Sequence, residues 1–127
     1  MIAVDTSALM AIVLDEPEAA ACCAVLEAED NLVISAGTVA EALAVAGRRN
    51  VREEMERLIE GLGFEIAAVT RASARRVAQA YESWGKGWHP AALNFGDCFA
   101  YEVAKEQGCR LLFVANNFRQ TDIASVL

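Results

Sequence analysis

Three carboxylates stand out in this sequence by their company. Asp5 closes the aliphatic run Ile2-Ala3-Val4, Glu41 sits among Ala, Val and Leu, and Asp97 follows a long loop and opens a helical stretch. A solvated acid ordinarily has polar neighbours, and an acid buried alone is costly because burial disfavours its charged form. If the three side chains meet, their mutual repulsion needs a counter-charge. A hard divalent cation supplies one. Mg²⁺ takes oxygen ligands and keeps several of its own waters, and Mn²⁺ accepts a similar set. Such an ion activates a bound water and neutralises charge developing on a phosphodiester. Each acid also has a plainer use, Asp5 as a helix cap and Asp97 as a first-turn partner of the helix dipole.

Other chemistry is scarce. His89 is the one histidine, so a multi-histidine metal centre is excluded and a nucleophilic triad would depend on that residue. Cys22, Cys23, Cys98 and Cys109 form no C-x-x-C pair and read as small buried hydrophobes with free thiols. No serine lies in a G-x-S-x-G elbow, and no glycine pattern matches a P-loop or a dinucleotide fingerprint. A phosphatase of the haloacid-dehalogenase type needs a second acid at position 7, where this chain has Ser7.

The elements that must position the acids follow from periodicity. Ile2 to Asp5, Leu32 to Ile34, Phe64 to Val69 and Leu111 to Val114 read as strands, and Ile123 to Leu127 adds an edge strand. Helices are expected at Ala8–Leu14, capped by Thr6 or Ser7, at Glu18–Glu29, and after Gly37-Thr38. A further amphipathic helix spans Val51 to Leu62. Arg71–Trp84, capped by Thr70, turns Ala74, Val77, Ala78 and Tyr81 inward, and Asp97–Gln107 ends at Gly108. Between these two lies the clearest loop, Gly85-Lys86-Gly87-Trp88-His89-Pro90, continuing to Gly96. Strands alternating with helices predict an α/β fold with a parallel sheet covered on both faces, and ligands beyond the carboxyl ends of its strands.

The chain has 127 residues, 55% of them hydrophobic, which predicts one domain spanning 1–127. Its 11 basic and 18 acidic residues give a net charge of −7, which excludes a generally basic nucleic-acid-coating protein. No apolar run approaches the ~20 residues of a membrane span. The N-terminus lacks the basic segment of a signal peptide, so the expectation is a cytoplasmic protein.

The motifs, in order, resemble those of a PIN-domain ribonuclease, specifically a VapC-type toxin of a type II toxin–antitoxin pair. Ile2-Ala3-Val4-Asp5-Thr6-Ser7-Ala8 looks like the opening acidic motif, and Thr38-Val39-Ala40-Glu41 like the second. Gly85 to Ala91 with Leu93-Asn94-Phe95-Gly96-Asp97-Cys98-Phe99-Ala100-Tyr101 is the most specific stretch. Leu111-Leu112-Phe113, Asn117-Phe118 and Thr121-Asp122-Ile123 resemble the closing motif. The resemblance implies a three-layer α/β/α domain with a mainly parallel sheet of four or five strands. It implies a Mg²⁺-dependent endoribonuclease that cuts structured RNA such as tRNA or rRNA and so stops translation. It also implies a VapB-type antitoxin as partner, and a homodimer. By position, Asp5, Glu41 and Asp97 would be the metal-binding acids, with Thr6, Ser7 and Asp122 supporting them. Family members carry Gly-Asn-Asp-Phe after the last strand. This chain reads Ala115-Asn116-Asn117-Phe118, so Asn117 stands where the fourth acid is expected. An amide oxygen can ligate Mg²⁺ or hold its water, but the lost charge weakens the site. That departure carries the alternative of a catalytically impaired homologue that acts mainly by binding an antitoxin.

Cations and aromatics for RNA are sparse. Arg48, Arg49 and Arg52, and Arg71, Arg75 and Arg76, read as solvated helix faces with Glu partners, Glu53 and Arg57 being one such pair. Lys86, Trp88 and His89 in the glycine-bordered loop, and Arg119 beside the altered motif, are the candidates for RNA contact.

Overall fold

A computed structural model describes all of residues 1–127. Four short strands build its centre: β1 Ile2–Val4, β2 Leu32–Ser35, β3 Glu65–Ala67 and β4 Arg110–Leu112. All neighbours run parallel, in the order β3-β2-β1-β4. Successive side chains of a strand point to opposite faces; in β1 and β2 both faces are buried, whereas the edge strand β3 is largely exposed. Ile2, Val4, Leu32, Ile34 and Leu112 pack into one cluster, and Ala3, Val33, Leu111 and Phe113 into the other.

Six helices cover the sheet: α1 Thr6–Val13, α2 Ala19–Ala28, α3 Ala36–Arg48, α4 Arg52–Leu62, α5 Arg71–Trp84 and α6 Phe95–Gln107. Parallel crossovers are right-handed, so a chain stepping from β1 to β2 to β3 keeps its helices on one face. The return to β4 on the far side of β1 puts the next helices on the other. The core follows this rule: α1 to α4 contribute Leu9, Leu26, Ala42 and Met55 to one cluster, while α5 and α6 contribute Val77 and Val103 to the other. The result is the three-layer α/β/α arrangement.

Several boundaries differ from the sequence expectation, for local reasons. Asp5 itself, and neither Thr6 nor Ser7, is the N-cap of α1. α6 begins at Phe95 because Asn94 and Asp97 form a reciprocal capping box. On α5 the inward stripe is Ser73, Val77 and Ala80, leaving Ala74 and Ala78 exposed. Alanine and serine carry too little hydrophobic contrast to mark the face. Arg57 pairs with Glu54 at 3.6 Å and Arg52 with Glu56 at 3.8 Å, rather than Arg57 with Glu53. The expected C-terminal strand reduces to one bridge between Leu111 and Ser125.

Candidate active site

In this strand order the chain leaves β1 toward β2 on one side, while β4 lies on the other. The carboxyl ends of β1 and β4 therefore flank the topological switch point, where open α/β sheets bind ligands. Asp5 follows β1 at that point, and its backbone N–H donates to the Leu112 carbonyl across the gap at 3.0 Å. Its side chain is 1% exposed. Oδ2 accepts from the Ser7 backbone N–H at 3.0 Å and from the Ser7 hydroxyl at 2.7 Å. The Ser7 oxygen in turn accepts from the backbone N–H groups of Val114 and Ala115, at 3.0 and 3.3 Å. Ser7 thus ties the first acid to the chain leaving β4. Asp5 Oδ1 is buried without any partner.

Glu41 reaches this end of the sheet from α3. Thr6, next to Asp5, donates its hydroxyl to Glu41 Oε1 at 2.6 Å. Close packing of α3 on α6 completes the approach, and two glycines allow it. A Cβ on Gly37 would collide with the Phe99 ring, and a Cβ on Gly96 would collide with the Glu41 carboxylate. Glu41 therefore lies against the backbone of the residue that precedes Asp97. Asp97, 7% exposed, is held by its capping box: its Oδ2 accepts from the Asn94 N–H at 3.0 Å, and its own N–H donates to Asn94 Oδ1 at 2.8 Å.

The electrostatics are those of a site short of positive charge. Burial pushes Asp5 up to about 7 against the pull of its Ser7 hydrogen bonds, with the Asp97 and Glu41 charges adding to the rise. Asp97 rises to about 6, again chiefly through burial, opposed by the Asn94 backbone hydrogen bond and reinforced by Glu41. None of the ion pairs in the structure includes Asp5, Glu41 or Asp97. Two buried side-chain polar atoms have no partner, Asp5 Oδ1 and Thr38 Oγ1. Thr38 lies one turn before Glu41 on α3. No three acidic, cysteine or histidine side chains are placed to hold a metal ion by themselves. An ion held here by one or two of the carboxylates would take its remaining ligands from water and substrate phosphate. A cation fits the unpartnered Asp5 oxygen, the mutual repulsion and the absence of any protein cation.

The other candidates fall in different places. Asn117 lies in a short 3₁₀ turn, Asn116–Gln120, and its amide Nδ2 donates to the Ala92 carbonyl at 3.0 Å. Ala92 has a left-handed backbone, φ 51°, so the amide secures a strained point of the loop before α6. Asp122 belongs to another network and makes none of its contacts to the acids. It accepts from the Tyr101 hydroxyl at 2.7 Å and the Lys105 ammonium at 3.1 Å, and Tyr101 accepts from the Trp84 indole at 3.0 Å. Its place near Asn117 in sequence does not carry over into space, because the chain after the 3₁₀ turn runs back beside α6. His89 packs edge-on to Trp84 at 4.8 Å and accepts from the Ala91 N–H at 3.0 Å, so it pins the loop. Lys86 and Trp88 are exposed. Arg119 lies 5.4 Å over the Phe113 ring and pairs with no carboxylate.

Gly96, Asn94 and Thr38 had no assigned part in the sequence reading of the site. The Asn94-to-Asp97 spacing was a legible capping signal, and Thr38 to Glu41 is a same-face spacing of a helix. Nothing local announced Gly96. Clefts of about 290 Å³ along α5 and α6, and of about 230 Å³ between α3 and α4, are lined by none of the acids.

The PIN domain family model matches residues 2–124. Ribonuclease VapC30 of Mycobacterium tuberculosis is 38% identical over 126 residues, covering 97% of this chain and 96% of its own. The crystal structure of Mycobacterium tuberculosis VapC20, described as a Sarcin-Ricin loop cleaving toxin, superposes with a TM-score of 0.80 at 14% identity, over 99% of this chain and 98% of that one. A toxin–antitoxin complex from Klebsiella pneumoniae superposes with a TM-score of 0.70 at 18% identity, over 96% and 93%. The fold is that of a PIN domain. The chain belongs to that family and, within it, to the VapC ribonucleases. No helix is long and apolar enough to cross a membrane.

Proposed function

We propose that this protein is a Mg²⁺-dependent endoribonuclease toxin that hydrolyses phosphodiester bonds in structured RNA, tRNA or rRNA, and so inhibits translation in the cytoplasm. One observation carries the reading: three acids are gathered at the switch point with no protein cation among them and a free buried oxygen on Asp5. Asp5 and Asp97 would hold the ion, with Glu41 flanking it, and Mn²⁺ would substitute. When bound, the ion supplies an activated water and neutralises charge on the phosphate.

The chain's own residues prepare that ground. Ser7 orients Asp5 and spends its hydroxyl proton on Oδ2, which leaves Oδ1 free. Thr6 fixes one oxygen of Glu41. The Asn94 cap fixes Asp97. The N-termini of α1 and α6 begin at Asp5 and Asn94, and their positive ends favour an anionic group beside the acids.

A VapB-type antitoxin is the proposed partner, supported by the likeness to a toxin–antitoxin complex, and the active form is a homodimer. Asn117 supports one other reading, an impaired enzyme acting mainly through antitoxin binding, because its amide adds no charge and is engaged with Ala92. Incubating total cellular RNA with the purified protein separates the two. Specific fragments that require Mg²⁺, vanish with chelator and vanish in Asp97→Ala support the nuclease. Fragments absent from the wild type and gained by Asn117→Asp support the impaired enzyme.

A further inference from the structure

The segment that delivers Asp97 has one constrained residue. The loop between α5 and α6 is closed at its base, where the Lys86 N–H donates to the Leu93 carbonyl at 2.9 Å and the Leu93 N–H to the Trp84 carbonyl at 3.0 Å. Leu93 is fully buried, and Asn94 behind it caps α6 and holds Asp97. Ala92, just before them, has φ 51°. Glycine enters that left-handed region freely, whereas a residue with a Cβ stays there only under constraint.

The constraint comes from Asn117. Its Nδ2 donates to the Ala92 carbonyl at 3.0 Å, the one hydrogen bond that joins residues 113–120 to residues 85–94. The turn that carries it is anchored by Phe118, fully buried with its ring 5.1 Å from that of Phe113. The same stretch of chain is tied to the first acid. The Val114 and Ala115 N–H groups donate to Ser7 Oγ, and Ser7 donates to Asp5 Oδ2. A hydrogen-bonded route thus runs from Asp5 through Ser7, the exit of β4, Asn117 and Ala92 to the Asn94 cap and Asp97. An ionised aspartate at position 117 has no proton to give the carbonyl.

We propose that Asn117 is a positioning residue: by holding Ala92 in its left-handed conformation it sets where Asp97 stands relative to Asp5. It serves the ion through that placement rather than as a ligand. This rests on the endoribonuclease reading and adds a residue to it.

The test compares the full-length wild type, Asn117→Ala, Ala92→Gly and the double variant. Mn²⁺ binding is measured by calorimetry, the Leu93 amide by hydrogen exchange, and cleavage on total RNA. Thermal unfolding confirms that each protein is folded. Asn117→Ala weakens Mn²⁺ binding by about tenfold, as for other groups that orient a metal ligand, and speeds exchange at Leu93. Adding Ala92→Gly recovers most of both losses, because glycine keeps the left-handed conformation without the amide. Ala92→Gly alone binds Mn²⁺ like the wild type. If Asn117→Ala binds Mn²⁺ like the wild type while Mg²⁺-dependent cleavage continues, the proposal fails and the nuclease reading stands. If the double variant is as weak as Asn117→Ala, the amide acts on the ion directly and the proposal fails. If the wild type neither binds Mn²⁺ nor cleaves RNA, the nuclease reading falls and the proposal with it.

Discussion

Two regions of this molecule bury acids, and they neutralise them differently. Along α5 and α6, Glu102 is 7% exposed and sits 2.9 Å from the Arg76 guanidinium, which also faces Glu106 at 3.5 Å. In the same region Asp122 is held below the usual carboxylate range by the Tyr101 hydroxyl, with Lys105 helping. At the switch point, Asp5 is buried more deeply, has serine as its partner and is pushed up to about 7. One region is complete in itself. The other has no ion pair to any of its three acids, and on the proposed reading an ion from outside the chain supplies the charge. Burial of an acid is thus no sign of a site on its own, whereas burial without a cation is.

Removing acids from each region separates the two most clearly. Asp5→Ala and Asp97→Ala each lower RNA cleavage by about a thousandfold or more, measured on total RNA, with the fold intact by circular dichroism. Glu102→Gln leaves cleavage unchanged and lowers Tm, because it loosens a structural ion pair. Equal loss of cleavage from both kinds of variant would erase the distinction. Ser7→Ala follows in size. Loss of the hydroxyl that orients Asp5 reduces cleavage by about 10–100-fold, as for other groups that position a metal ligand, and the deficit shrinks at raised Mg²⁺.

Stability sharpens the same contrast, with opposite sign. Asp5 titrates near 7 in the folded chain and near 3.8 unfolded, so between those values the folded state binds the extra proton. Stability that Asp5 allows at acidic pH is lost as pH rises through about 7. Asp5→Asn keeps an oxygen for the Ser7 donors and cannot ionise. Without metal it therefore raises Tm at pH 8 by on the order of 5 °C, and the gain disappears toward pH 4. The smallest effect is expected at Asn117. Asn117→Asp removes the donor to the Ala92 carbonyl and costs about 1 kcal/mol in the absence of metal, and added Mg²⁺ raises its Tm more than that of the wild type.

The acids were legible because their neighbours in sequence are aliphatic, as at Ile2-Ala3-Val4-Asp5. The layers were legible because strand alternation and helix order leave few right-handed routes. What the sequence hid depends on distant partners. Asn117 meets a carbonyl 25 residues away, and Asp122 meets Tyr101 and Lys105 across the fold. Gly96 reads as an ordinary helix-start residue until Glu41 arrives beside it from α3. The inward face of α5 was misplaced because alanines lie on both sides of it.

On the proposed reading the acid cluster takes a divalent cation to supply the charge it lacks. Calorimetric titration of Mn²⁺ into the wild type and Asp5→Asn at pH 7 tests it most directly. Saturable binding to the wild type is expected, with protons released because Asp5, pushed up to about 7, is partly protonated there, and no such binding to Asp5→Asn. Equal binding to both proteins, or none to the wild type, would contradict it.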